Sequence, residues 1–152
     1  MRSIIKEKNL NGKKILVRLD LNVPLEDGKI YDTTRIDKIL PTLNFLIEQK
    51  TKIIILSHVG RPKGKVVKEL SLKPIGLDLK KKLNVNVRLI TDDIYKMQNK
   101  DFFEKFDEQI IIIENIRFYA EEEKNDRNFA KHLASLGAVS YTHLTLPTNR
   151  EV

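Results

Sequence analysis

The chain has 152 residues, enough for one compact domain, and its 41% hydrophobic and 32% charged content is that of a globular protein, not a disordered one. It has no cysteine, which excludes disulfides and thiolate metal sites, no apolar run near the ~18 residues of a membrane span, and an opening, MRSIIKEKNLNGKK, too polar for a signal peptide, so a cytoplasmic protein without a membrane partner is expected. A net charge of +7 would suit an anionic ligand, but the long basic runs and Arg-interleaved aromatics of nucleic-acid binders are missing, so no nucleic-acid partner is expected.

Ile15-Leu16-Val17 opens a first strand, with Arg18 and Leu19 at its end. Ile36, Ile39, Leu40, Leu43 and Ile47 then follow the three-four spacing of one helical face. Asp32 or Thr33 can cap that helix just before Arg35, and Pro41 inside the pattern is expected to bend or split it. Ile53 to Leu56 form a second strand, continuously apolar as befits burial on both faces. A second helix runs from about Leu72 to Leu83, with Pro74 in its first turn. Val87 and Leu89 alternate around Arg88 as a third strand, and Ile110 to Ile113 make a fourth. The acidic run Glu121-Glu122-Glu123 reads as a solvated face ahead of a third helix, Arg127 to Leu136, with Asn125 or Asp126 as cap and Gly137 as stop. Strands alternating with helices imply an α/β fold, a Rossmann-like three-layer sandwich with a mostly parallel sheet. Residues 137–152, with Thr142, Thr145 and Thr148 at every third position, show neither period. They are expected to lie outside a domain formed by residues 1–136, as a foreign tail, leaving the sheet without its last strands and with an exposed edge.

Polar residues gather where the strands end. The first strand runs into Asp20-Leu21-Asn22, the second into Ser57-His58-Val59-Gly60-Arg61-Pro62 and the fourth into Glu114-Asn115-Ile116-Arg117-Phe118. In an open parallel sheet these ends share one edge, where ligands bind, and Arg35 at the following helix start faces it too. Guanidinium groups match carboxylate and phosphate oxygens two at a time. Asp20 and Asn22 suit hydroxyl groups between anionic ends, and His58 can donate to an anion. The implied ligand is small, carries at least two anionic groups and bears a hydroxyl. Any one of these residues is more commonly a solvated loop charge or a turn former, so only their coincidence at successive strand ends points to a site.

Other motifs are weaker. Residues 60–65, Gly-Arg-Pro-Lys-Gly-Lys, fall one residue short of a P-loop, with Val66 where Ser or Thr should bind magnesium. No GxGxxG occurs, and His132 and His143 lack partners at metal-ligand spacing, so no metal site is expected.

Together the loops resemble phosphoglycerate kinase. VRLDLNVPLEDGKI is similar to the family's VRVDFNVP strand and loop, with Leu19 and Leu21 as conservative departures. DTTRIDKILPTLNFL, LSHVGRPKG, SLKP and ENIRFYAEEEKNDRNFAKHLASL follow in the family's order. The resemblance implies reversible phosphoryl transfer between 1,3-bisphosphoglycerate and ADP, giving 3-phosphoglycerate and ATP in glycolysis, usually by a monomer. It implies substrate binding at Asp20, Leu21, Asn22, Arg35, His58, Val59, Gly60, Arg61 and Arg117, with Arg35 also catalytic through charge on the phosphoryl group in flight. It implies Mg-ATP or Mg-ADP on a C-terminal domain that this sequence does not contain, so the chain alone is expected to be inactive. After the ASL segment the family has a strand leading to VNDAFGTAHRAHAS, where this chain has GAVSYTHLTLPTNREV, and no role passes to Arg150. A non-enzymatic phosphometabolite-binding module remains the alternative.

Overall fold

The computed structural model describes residues 10–19, 21–26, 29–97, 100–137 and 139–143. In chain order the elements are β1 (Lys14–Leu19), β2 (Leu25–Glu26), β3 (Lys29–Ile30), α1 (Thr34–Glu48), β4 (Lys52–Leu56), α2 (Lys73–Leu83), β5 (Val87–Ile90), β6 (Ile110–Ile113), α3 (Ala120–Glu123), α4 (Arg127–Ala134) and β7 (Val139–His143). Single 3₁₀ turns at Lys68–Leu70, Ile94–Lys96 and Ile116–Phe118, and a longer one at Lys100–Lys105, fill the connections.

Five strands form one sheet in the order β5-β6-β4-β1-β7, every pairing parallel, which is the expected α/β architecture. Strands buried on both faces explain the unbroken Ile runs. Ile15, Val17, Ile53, Ile55, Ile110 and Ile112 point to one side, where they meet Ile36, Ile39, Leu43 and Leu46 of α1 and Ile75, Leu79 and Leu83 of α2. Leu16, Ile54, Leu56, Ile111 and Ile113 point to the other, against Ile94, Met97, Phe103, Phe129, Leu133 and Leu136. The result is three layers with two cores separated by the sheet.

The helix termini refine the expected caps. Asp32, not Thr33, caps α1 by accepting from the Thr34 amide at 2.9 Å and its hydroxyl at 2.5 Å. Asp126 caps α4 by accepting from Phe129 N–H at 2.9 Å. The α2 N-terminus takes its acceptor from another element: Glu114 Oε1 accepts from Leu72 N–H at 2.7 Å while its Oε2 accepts from Ser71 Oγ at 2.6 Å.

Pro41 does not split α1, which runs unbroken from Thr34 to Glu48. Pro41 and the residue one turn earlier, Asp37, are both exposed, so water can satisfy the carbonyl that loses its amide partner.

Two further expectations are corrected. The acidic run is not merely a solvated face: it forms α3, Glu121 accepts from the Tyr95 hydroxyl, and Glu122, only 9% exposed at its side chain, pairs with Arg18 of β1. The segment after Gly137 does contain a strand. β7 pairs in parallel with β1 from Ile15↔Val139 to Leu19↔His143, so β1 is not an edge. Parallel backbone pairing does not require the apolar run by which the other strands were found. Gly137 admits this approach, since a Cβ there would lie 2.9 Å from Leu16 Cβ and 3.1 Å from its amide nitrogen. The β2–β3 hairpin was not expected at all.

Surface ion pairs contribute modestly to the pH dependence of stability on the acid side. Hydrogen bonds from Lys82 to Asp37, Lys14 to Glu104 and Arg88 to Glu108 hold all three carboxyls below their ordinary values. A carboxyl depressed in the folded state stabilises fully above its unfolded pKa and loses that contribution as pH falls through the folded one. From these carboxyls, urea midpoints are therefore expected to be flat between about pH 5.5 and about pH 9 and to drop below about pH 4, less steeply in high salt.

Candidate anion-binding site

The two faces of the sheet receive different connections. The chain leaves β4 towards α2 on one face and leaves β6 towards α3 and α4 on the other, yet β4 and β6 are neighbours. Their loops diverge at the carboxyl edge, and such a parting of loops is where open α/β sheets form a ligand crevice.

Hydrogen bonds lace the loops around this point. Leu21 N–H, just after β1, donates to Ser57 Oγ at 3.1 Å, and Ile116 N–H, after β6, donates to Ser57 carbonyl at 3.1 Å. Gly60 N–H donates to Asn22 Oδ1 at 3.0 Å. Asn115 Nδ2 donates to the carbonyls of Val59 and Leu70, each at 2.9 Å, and its Oδ1 accepts from Arg117 N–H at 3.0 Å. Gly64 N–H reaches Arg117 carbonyl at 3.2 Å. The β1, β4 and β6 loops are thus one hydrogen-bonded unit.

The candidate residues distribute over this unit as follows. Asp20 lies outside the described residues. Asn22 and Arg61 are exposed, and His58 and Arg117 are half-buried. Arg35 is half-buried in the first turn of α1, at the same sheet edge. Leu21 and Val59 have their side chains in the core, 0% and 2% exposed, so only their backbone groups are available to a ligand. Gly60 adopts φ +65°, which L side chains rarely do, and this turns its amide towards Asn22.

Arg117 is distinctive. Its Nε is buried and has no hydrogen-bond partner among the described residues. A buried donor left unpaired costs about 1–3 kcal/mol, and an anion accepting from it would recover that cost.

Two concave surfaces lie nearby, and neither is lined by Asn22, Arg35, His58 or Arg61. One, of about 510 Å³, lies between residues 66–71, the segment following β5, and Glu114, Asn115, Phe118 and Tyr119. The other, of about 390 Å³, lies between Arg18 and α4. Asn22, Arg35, His58 and Arg61 stand outside both, on the carboxyl edge of the sheet, called the shelf below. His132 bonds the Ile94 carbonyl at 2.7 Å and stacks on Tyr95.

Ser57 and Asn115 were missed as parts of this site. Both are nearly sealed from solvent, at 1% and 0% exposure, in a core otherwise almost wholly apolar. A Ser directly after one continuously apolar strand, and an Asn two residues after another, were the available signals, since a buried polar side chain there must spend its polar atoms on neighbours.

The family model described as phosphoglycerate kinase matches residues 5–141, running into β7. Phosphoglycerate kinase of Borreliella afzelii (strain PKo) is 46% identical over 128 residues, which cover 84% of this chain and 33% of that protein. The Moorella thermoacetica enzyme is 42% identical over 135 residues, covering 89% and 34%. Among solved structures, phosphoglycerate kinase from Coxiella burnetii superposes with a TM-score of 0.76 at 40% identity, covering 90% of this chain and 33% of that one. The Pyrococcus horikoshii OT3 enzyme gives 0.73 at 27% identity, covering 90% and 35%. The chain spans about a third of the length of the curated relatives it matches. No helix among the described residues is long and apolar enough to cross a membrane. With the family match, the parallel sheet and the three laced loops in agreement, the chain belongs to the phosphoglycerate kinase family.

Proposed function

We propose that the shelf binds 3-phosphoglycerate, or the same end of 1,3-bisphosphoglycerate, as the acid-binding part of a phosphoglycerate kinase. The observation that carries this reading is the buried, unpartnered Nε of Arg117 beside loops already fixed to one another. Arg117, Arg61 and His58 would receive the anionic groups, while Asp20 and Asn22 would orient the hydroxyl and carboxylate end. Backbone groups of Leu21, Val59 and Gly60 would complete the contact. Arg35, at the start of a 15-residue helix, would carry the catalytic role of stabilising charge on the phosphoryl group as it moves.

The second reactant would lie elsewhere in a full-length member. A magnesium nucleotide would supply the phosphoryl donor or acceptor there, and this part of the chain does not fit it. Apart from the single carboxylate of Asp20, the shelf is built from guanidinium, imidazole and amide groups, and no group of three or more His, Asp or Glu among the described residues could hold a metal ion. Transfer between the two sites needs domain closure that excludes water, so the shelf by itself would bind without turnover. The phosphoglycerate unit is taken as residues 1–136 with β7 completing its sheet, and the rest of 137–152 as a tail of different origin. The unit would act as a cytoplasmic monomer, with neither nucleic acid nor membrane as partner.

Calorimetric titration of the folded chain with 3-phosphoglycerate tests the reading. Saturable heat at millimolar ligand or below is expected, reduced by competing sulfate. Absence of heat at 10-fold higher concentration, with a native circular dichroism spectrum, would overturn it.

A further inference from the structure

Asn115 has a role that the reading above leaves unassigned. Its carboxamide is wholly buried at the point where the β4 and β6 loops part. Around it stand two carbonyl oxygens, which can only accept, and one amide hydrogen, which can only be donated. Only a group with two donors and an acceptor in one plane meets all three, and among side chains of this size only asparagine has it. The orientation of the carboxamide is therefore dictated by its neighbours.

The three partners are not equivalent in where they lead. Val59 lies between His58 and Gly60, so the bond to its carbonyl holds the segment bearing His58 and Arg61. Leu70 closes the 3₁₀ turn at the far end of that same excursion, so its bond holds the excursion's return. The Arg117 amide fixes the backbone from which the unpartnered guanidinium nitrogen projects. Glu114, the preceding residue, adds an acceptor for Asn115 N–H at 3.0 Å while it caps α2.

We propose that Asn115 is a positioning residue that sets the distance between the His58–Arg61 segment and Arg117, and so the spacing at which a dianionic acid is gripped from two sides. The assignment rests on the phosphoglycerate reading only for the identity of the ligand. The crosspiece itself is a property of the loops. Guanidinium pairs recognise an anion by geometry as well as charge, and a misplacement of about 1 Å can cost up to a hundredfold.

Asn115→Asp is nearly isosteric and keeps the acceptor for Arg117 N–H, but it replaces the nitrogen and its two donor hydrogens with one oxygen that faces both carbonyls. It is expected to weaken 3-phosphoglycerate binding by roughly tenfold or more. The control is Thr51→Ala, which removes an equally buried bond to the Leu46 carbonyl, 2.9 Å long, at the opposite end of β4. It is expected to lower the urea midpoint without changing affinity. Equal affinity for Asn115→Asp and wild type, or affinity losses in both variants that track their stability losses, would overturn the proposal. A readout on the unaltered chain covers the case in which Asn115→Asp fails to fold. The Asn115 side-chain amide protons should exchange with solvent far more slowly than those of an exposed asparagine, and fast exchange would overturn the proposal. Should the wild type bind no 3-phosphoglycerate while those protons stay protected, the ligand reading fails and the crosspiece stands.

Discussion

Arg117→Met is expected to weaken 3-phosphoglycerate binding about a hundredfold, ~2–3 kcal/mol, while leaving the domain as stable as before or slightly more stable. The two effects have one cause. Arg117 carries a buried nitrogen donor that no described residue satisfies, so among these residues it bears a desolvation cost that an accepting anion would remove. Methionine keeps most of the aliphatic stem and removes the donor, abolishing both the cost and the grip. Its amide and carbonyl bonds to Asn115 Oδ1 and Gly64 N–H remain available. A residue retained for packing would lose stability on this change, whereas one retained for ligand binding loses affinity alone. Urea denaturation and calorimetric titration on the same sample separate the cases. A loss of unfolding free energy larger than the loss of binding free energy would show Arg117 to be structural.

Gly64→Ala should destabilise by about 2–4 kcal/mol, and by more than Gly60→Ala, although both glycines have positive φ. The backbone strain is shared, at +75° and +65°. The neighbours are not. A Cβ on Gly60 would approach within 2.7 Å of Leu70 Cδ2, the free end of a side chain that can rotate away. A Cβ on Gly64 would meet Ala120 Cβ at 2.8 Å, its Cα at 3.0 Å and its nitrogen at 3.1 Å, where α3 begins and nothing can rotate. Relief requires the loop to separate from α3, which breaks the Gly64–Arg117 backbone bond and loosens the shelf. Thermal melts of the two variants side by side check the order, and equal midpoints would show that strain alone governs both.

The sheet and its helices were legible because their signals are local. Continuous apolar runs at 53–56 and 110–113 can be satisfied only between two apolar layers, and the three-four pattern from Ile36 to Ile47 gives the inward face of α1, although Leu46 is fully buried there and Leu40 and Ile47 only partly so. What escaped is made by contact between distant segments. β7 owes its strand character to β1 alongside, which periodicity within residues 139–143 does not reveal. Glu122 reads as one of three surface acids until Arg18, far away in sequence, is placed beside it. The β2–β3 hairpin did have a local signal, the Asp27-Gly28 dipeptide in the sequence, and it was passed over. At the site, charged residues at strand ends were readable as an anion-binding set because each carries its chemistry alone. Ser57 and Asn115 do not, since a hydroxyl or an amide acquires a role only from what faces it.

The position of β1 between β4 and β7 also fixes an order of assembly. β4 reaches β1 across one helix, whereas β7 must close a loop of about 120 residues to reach the same strand, and a closure of that length comes late. Every bond that laces the shelf, from Leu21 to Arg117, belongs to segments that precede β7 in the chain. On a ribosome, the ligand-facing loops can therefore find one another while the β7 side of β1 still awaits its last strand.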